Sequence, residues 1–200
     1  GVSIKTRRPV RDDIAQFLPA TIELASLGIV FGVILGVSLG IISAIWKDTI
    51  FDYIARIVAL IGVSFPVFLL ALVGLTLFYA EWGIVAGPGR LNVIMRDPPH
   101  VTGLFTVDAL LDGDFDTFKN AFSHLVLPAM TLALYISGII SRITRSSLLE
   151  VLSMDYMRTA RAKGMRERYV ITQHGLRNAL IPVVTIIGLS YGNLLVGSIL

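Results

Sequence analysis

Three groups of residues in this 200-residue chain have types and spacings that bear on chemistry. Residues 142–182 carry eight bases (Arg142, Arg145, Arg158, Arg161, Lys163, Arg166, Arg168, Arg177) against three acids (Glu150, Asp155, Glu167). Such a basic, helix-forming stretch suits docking against a partner rather than bond-breaking. Gly188-Leu189-Ser190-Tyr191-Gly192 matches the G-x-S-x-G pattern of serine hydrolases, but that pattern needs a strand–turn–helix elbow, and here it lies in an apolar helical run. With no Ser/His/Asp set evident, an intramembrane hydrolase using Ser190 is the weaker reading, from another functional class. Asp112-Gly113-Asp114-Phe115-Asp116 has the alternating acids of a calcium loop without the glycine and distal glutamate that complete one, so no metal site is expected. Cysteine is absent, which excludes disulfides and thiolate chemistry. No G-x-x-x-x-G-K-[ST] loop is present to cradle a nucleotide phosphate.

The elements that position these groups belong in a bilayer. The chain is 54% hydrophobic and only 16% charged, too little charge for a soluble domain of this length. Four spans are expected, at 17–46, 53–80, 121–145 and 178–200. Residues 24–46 are free of charge, long enough as a helix to cross about 30 Å of hydrocarbon at about 1.5 Å per residue. Within that run Gly28, Gly32, Gly36 and Gly40 fall on nearly one face and predict a seam where another helix packs closely. Glu23, at the margin of the span, is read as an interfacial anchor or, alternatively, as a group lining a pathway. Pro19, Pro66, Pro128 and Pro182 predict kinks. The fold class is all-α: a polytopic membrane bundle with no strand-type alternation to compete with it.

Between the spans lie a polar tail (1–16, with Lys5, Arg7, Arg8 and Arg11), a short link (47–56), an acidic loop (81–120) and a basic loop (146–177). In the acidic loop residues 102–111 predict a short amphipathic helix, and His124 just beyond it reads as a satisfied interfacial group. Gly1 at the start and Leu200 inside an apolar run are expected of a piece of a longer chain. The link and the basic stretch share ten Lys and Arg, against seven in the tail and the acidic loop. By the positive-inside tendency the basic stretch faces the cytoplasm. Arg142 and Arg145, at the membrane boundary, are read as topology markers.

In the basic loop, Ser153 or Asp155 is placed to cap a helix beginning near Tyr156, and Gly164 to stop it in a left-handed turn. Residues 165–174 then resume as a helix towards Pro182. Thr159, Ala160 and Ala162 are small enough to let a partner lie close. Tyr156 and Met157 offer apolar bulk, and Arg158, Arg161 and Lys163 offer charge, the pattern of a helix that fills a cleft. A helix-turn-helix reading for nucleic acid fails on tethering between two spans.

Arg158-Thr159-Ala160-Arg161-Ala162-Lys163-Gly164 followed by His174-Gly175-Leu176-Arg177-Asn178-Ala179-Leu180-Ile181-Pro182 resembles the EAA loop of ABC importer permeases. More narrowly it is similar to the dipeptide/oligopeptide/nickel branch, and to the first of the two permeases in dipeptide importers. Leu18-Pro19-Ala20-Thr21-Ile22-Glu23-Leu24, Gly113-Asp114-Phe115 and Thr144-Arg145-Ser146-Ser147-Leu148-Leu149-Glu150-Val151-Leu152 extend the resemblance along the chain. The broad family has Glu-Ala-Ala where this chain has Arg158-Thr159-Ala160, and its Leu-Pro is here Leu176-Arg177 with the proline delayed to Pro182. The resemblance implies a type I importer permease in the bacterial or archaeal inner membrane, passing dipeptides or short peptides, or alternatively nickel or another small solute. It implies no ATP on this chain: ATP and Mg would sit on two ATPase subunits, alongside a second permease and an extracytoplasmic solute-binding protein. It assigns ATPase coupling to Asp155, Tyr156, Met157, Arg158, Thr159, Ala160, Arg161, Ala162, Lys163 and Gly164, and implies further spans before and after this stretch.

Overall fold

A computed structural model of the chain describes residues 1–2 and 7–196; Lys5 and the last four residues of the expected 178–200 span lie outside the described residues. The described residues are mainly helical and contain no strand. Apolar composition and helix formers give α1 (Val10–Ile45), which begins inside the expected polar tail and runs on through Pro19. After a turn at Trp46–Thr49, in which Asp48 adopts φ 62, α2 (Ile50–Ser64) follows. Phe65 is extended and Pro66 cannot donate an amide, so α2 stops there and α3 (Val67–Gly74) starts anew, continuing as a π-helical turn over Leu75–Glu81. The expected second span is thus a broken pair rather than one helix. In the acidic loop lies α4 (Phe105–Asp112), and Gly113 at φ +75 ends it. The helix of the third expected span, α5 (Phe115–Ser153), exceeds the expected 121–145 at both ends and carries Arg142 and Arg145 inside it. The basic loop then gives α6 (Asp155–Ala162), α7 (Glu167–Tyr169) with a π-helical turn over Val170–Leu176, and α8 (Arg177–Val196).

Val10–Ile45, Phe115–Ser153 and the continuous Glu167–Val196 are long and apolar enough to cross a membrane; the broken pair makes a fourth if it crosses as one. The chain divides into two compact units: Gly1–Gly28 with Val67–Leu132 and Tyr191–Leu200, and Ile29–Pro66 with Ala133–Ser190. In the first unit a Cβ added to Gly28 would come 3.2 Å from Leu132 Cβ. Tyr191 and Ser26 share a hydrogen bond of 3.0 Å between hydroxyls.

In the second unit, Cβ atoms at Gly32, Gly36 and Gly40 would lie 3.1 Å from Ile136 Cβ, 2.8 Å from Ile140 Cβ and 2.5 Å from Thr144 Cβ. Glycines every four residues on α1 thus meet α5 residues every four on, in the same order, so these helices run parallel with backbones nearly touching. Dispersion at this closeness supplies the association that apolar burial cannot supply in lipid. Conversely, α2 runs antiparallel to α5: Asp52 meets Arg145, Ala59 meets Gly138, and Gly62 sits on the Leu134 carbonyl. Ala44, Leu148, Val151 and Ala179 form an apolar cluster at the end from which the basic loop departs.

Candidate functional site

α6 is built by its ends and its buried stripe. Met154 is its N-cap and makes no side-chain cap bond. The expectation that Ser153 or Asp155 would cap it does not hold: the Ser153 hydroxyl donates to the Glu150 carbonyl instead (2.7 Å), and Asp155 is already helical. At the other end the Gly164 amide donates to the Arg161 carbonyl (2.9 Å) and the Met165 amide to the Ala160 carbonyl (3.4 Å), with Gly164 at φ +74. These two bonds are the Schellman arrangement, and the side chain of Met165 makes its accompanying apolar contact. Arg161 grips Glu167 with both arms, Nε at 3.1 Å from Oε2 and a terminal nitrogen at 2.9 Å from Oε1, closing the turn across Gly164.

The helix therefore has an inside and an outside. Met157 is fully buried and Ala160 nearly so, packed with Val170, Leu152 and Met165. The Met157 methyl also lies 3.5 Å from where a Cβ on Gly175 would be. Asp155, Arg158, Thr159, Ala162 and Lys163 remain exposed, at i, i+3, i+4, i+7 and i+8, the spacing of one helical face. Two of the expected partner-facing residues need correcting on this point. Met157 and Ala160 face the chain's own π-helical turn, because a short polar helix is held only by burying its few apolar groups. Arg161 stays exposed while its guanidinium is paired with Glu167. Tyr156 is half-exposed, and its hydroxyl accepts a hydrogen bond from the Asn178 amide at 3.0 Å, linking α6 to the start of α8.

Beside this helix's supports stands a cluster that sequence reasoning missed. Asp52 is fully buried. One terminal nitrogen of Arg145 donates to its Oδ2 at 3.1 Å and Arg145 Nε to its Oδ1 at 3.2 Å; Arg56 Nε reaches Oδ1 at 3.1 Å, and the Asp48 amide donates to Oδ2 at 3.0 Å. The Ser43 hydroxyl donates to Oδ1 and accepts from Arg145 Nε at 2.8 Å. A carboxylate taken out of water is tolerated when paired and bonded this fully. Arg145, read above as a topology marker, thus ties α5 to α1 and α2. The available signal was Asp52 itself, an acid where an apolar helix begins.

In the first unit, Glu23 is committed to the acidic loop. Its Oε1 accepts from the Thr106 amide (2.7 Å) and hydroxyl, and its Oε2 accepts from Arg90 (3.0 Å). Arg90 also donates to the Gly103 carbonyl and lies 3.5 Å above the Phe105 ring. Both carboxylate oxygens are therefore engaged in holding the loop on α1. His124 contacts the Gly87 carbonyl (2.8 Å) and Asn92 (3.0 Å) through its two ring nitrogens. Within the acidic residues 112–116, Asp114 does local work: it accepts the Asp116 and Thr117 amides and caps α5. Among the described residues no cluster of three or more metal-ligating side chains occurs. Ser190 lies within α8, far from any elbow of the hydrolase kind.

Asp108 clamps the turn ahead of α4 by accepting from the Thr102 amide and hydroxyl and the Gly103 amide, at 2.7–2.8 Å. Burial pushes its carboxyl up, but the Thr102 hydroxyl and these amides outweigh burial and hold it below the usual value of 3.8. A carboxyl lowered on folding stabilises above its ordinary value, and that contribution is lost as pH falls through the lowered one. Hydrogen-exchange protection of the Thr102 and Gly103 amides should therefore persist through pH 3.8 and disappear only below it. In Asp108→Asn it should be weak at every pH; protection that ignored both would refute the clamp.

Residues 36–200 match the family model described as the inner membrane component of binding-protein-dependent transport systems. Over its whole length the chain is 46% identical to a probable D,D-dipeptide transport system permease of Escherichia coli (strain K12), covering 59% of that protein. It is 45% identical to a dipeptide transport system permease of Alkalihalophilus pseudofirmus, covering 60%. With a glutathione transport system permease of Escherichia coli (strain K12) it shares 39% identity, covering 56%. The chain thus spans about three-fifths of the length of these curated relatives. With its parallel glycine seam, its apolar spans and a family match over more than three-quarters of its residues, the chain belongs to the inner membrane components of binding-protein-dependent transport systems.

Proposed function

We propose that this chain is the core of a permease subunit in an ATP-driven importer of dipeptides or short peptides, with α6 as the element that docks on the ATPase. The observation that carries the reading is the two-faced build of α6. Its apolar stripe is buried on its own chain, and a stripe of small and charged side chains is left outward. A rigid helix with such a face fits a cleft in a separate protein, with Thr159 and Ala162 allowing close approach and Arg158 and Lys163 meeting acids at its rim. Identity of 39–46% to permeases named for dipeptides and glutathione supports a short-peptide cargo. On this reading the chain catalyses no reaction: ATP is hydrolysed on two partner subunits, a second permease completes the pathway, and an extracytoplasmic binding protein delivers the solute. The acidic loop, anchored by Glu23, would face that protein, and the basic loop the cytoplasm.

Arg158→Glu with Lys163→Glu in the full-length protein should cut ATPase co-purification at least tenfold, because two attractive rim contacts become repulsive. Reversal of Arg161 is the contrasting case, since it breaks the internal pair with Glu167 and should lower stability as well. Undiminished recovery of the ATPase with the Arg158/Lys163 variant would remove α6 as the docking element.

A further inference from the structure

A groove of about 600 Å³ opens in the second unit between α2 and α5. Towards the start of α2 it is lined by Tyr53, Arg56, Arg142, Arg145 and Ser146, and further along by Ile57 and Leu60; no acidic side chain is among its lining residues. Arg56 and Arg145 share a single carboxylate oxygen of Asp52, so two cations are balanced there by one anion. Arg142, one turn before Arg145 on α5, has no ion-pair partner among the described residues. The cluster therefore holds an excess of two positive charges. Next to that excess, Ile57 and Leu60 are each more than half exposed. The layout is amphiphilic: a cationic, hydroxyl-bearing head region joined to an apolar strip along a membrane helix.

We propose that this groove is a binding site for an anionic phospholipid, the phosphate seated among Arg56, Arg142 and Arg145 and one acyl chain lying along Ile57 and Leu60. The uncompensated positive charge selects an anionic head over a zwitterionic one, and guanidinium groups present paired donors to its phosphate oxygens. The strip selects a lipid over a soluble anion, because a free phosphate leaves Ile57 and Leu60 uncovered. The position agrees: the groove's charged end lies where α1 ends and α2 begins, between the spans expected at 17–46 and 53–80, and basic side chains at span ends meet lipid headgroups.

The test reconstitutes the full-length protein in nanodiscs of phosphatidylcholine and phosphatidylglycerol in equal parts, and measures protein-bound lipid by native mass spectrometry. Phosphatidylglycerol should be retained about fivefold over phosphatidylcholine, the preference expected when its net negative charge gains about one basic contact over the zwitterionic head. Arg142→Gln, which halves the excess charge, should cut that preference to about twofold and Arg142→Lys should keep most of it. Arg142 is exposed and unpaired, so both variants should fold. Excess inorganic phosphate should leave the preference unchanged, and a photocrosslinking residue at position 60 should capture lipid. Equal retention of the two lipids, an unaltered Arg142→Gln, displacement by phosphate, or capture of a polypeptide segment at position 60 would each overturn the assignment.

Discussion

Asp52→Asn is expected to lower the apparent melting temperature of the full-length protein in detergent by roughly 6–12 °C. Asp52 is fully buried and takes hydrogen bonds from Arg145, Ser43 and the Asp48 amide as well as the Arg56 contact. Neutralising it leaves two guanidinium groups facing each other around an amide. Breaking a buried ion pair on one side costs about 3–5 kcal/mol, and because both arginines retain contact with water the lower figure applies here. The double variant Asp52→Asn/Arg145→Gln should be less destabilised than the sum of the single ones, because it leaves only one unmatched charge. Strict additivity would show that Asp52 and Arg145 act independently and would discredit the cluster as a unit.

A second large effect is expected along the α1–α5 seam, and it is graded. Alanine at Gly28 places a Cβ 3.2 Å from the Leu132 side chain, a contact that a small shift relieves; the gain in helix propensity should leave stability within about 0.5 kcal/mol of the parent. At Gly32 the clearance falls to 3.1 Å, at Gly36 to 2.8 Å and at Gly40 to 2.5 Å. Near the last two the α5 carbonyls of Ser137 and Ser141 stand within 2.9 and 2.8 Å, and backbone cannot rotate aside. Gly40→Ala should therefore cost about 2–3 kcal/mol, the upper range for overpacking. Thermal unfolding of the four variants should rank them Gly28, Gly32, Gly36, Gly40 in increasing damage. Thr144→Gly should recover part of the Gly40→Ala loss; a flat series would mean the helices do not depend on this approach.

What could be read from the residues alone follows a physical divide. The all-α membrane class and the long apolar helices were legible because lipid forces backbone groups to pair within a segment, which leaves composition and length as sufficient guides. The glycine repeat was legible as a face, since its period is that of the helix, but its partner was not. Asp52 and Arg145 lie 93 positions apart, and each taken singly looked like a solvated or topology-setting charge; only the antiparallel course of α2 along α5 joins them. Pro66 announced an interruption, yet the extended Phe65 and the fresh start of α3 depend on backbone angles that a proline alone does not dictate. In α6 the amphipathic pattern was read with its apolar side outward. Eight residues do not say whether their own chain or another supplies the cover.

That cover has a mechanical corollary. Met157 is wedged against the turn that leads directly into α8, Tyr156 is bonded to Asn178, and the Gly164 junction is clamped by Arg161 and Glu167. Only the four-residue turn 163–166, spanned by that ion pair, separates the outward stripe from the helical run that continues into α8. If α6 is the docking element proposed above, a load applied at Arg158 or Lys163 should reach α8 as displacement more than be absorbed as bending, as in a crank fixed to its shaft.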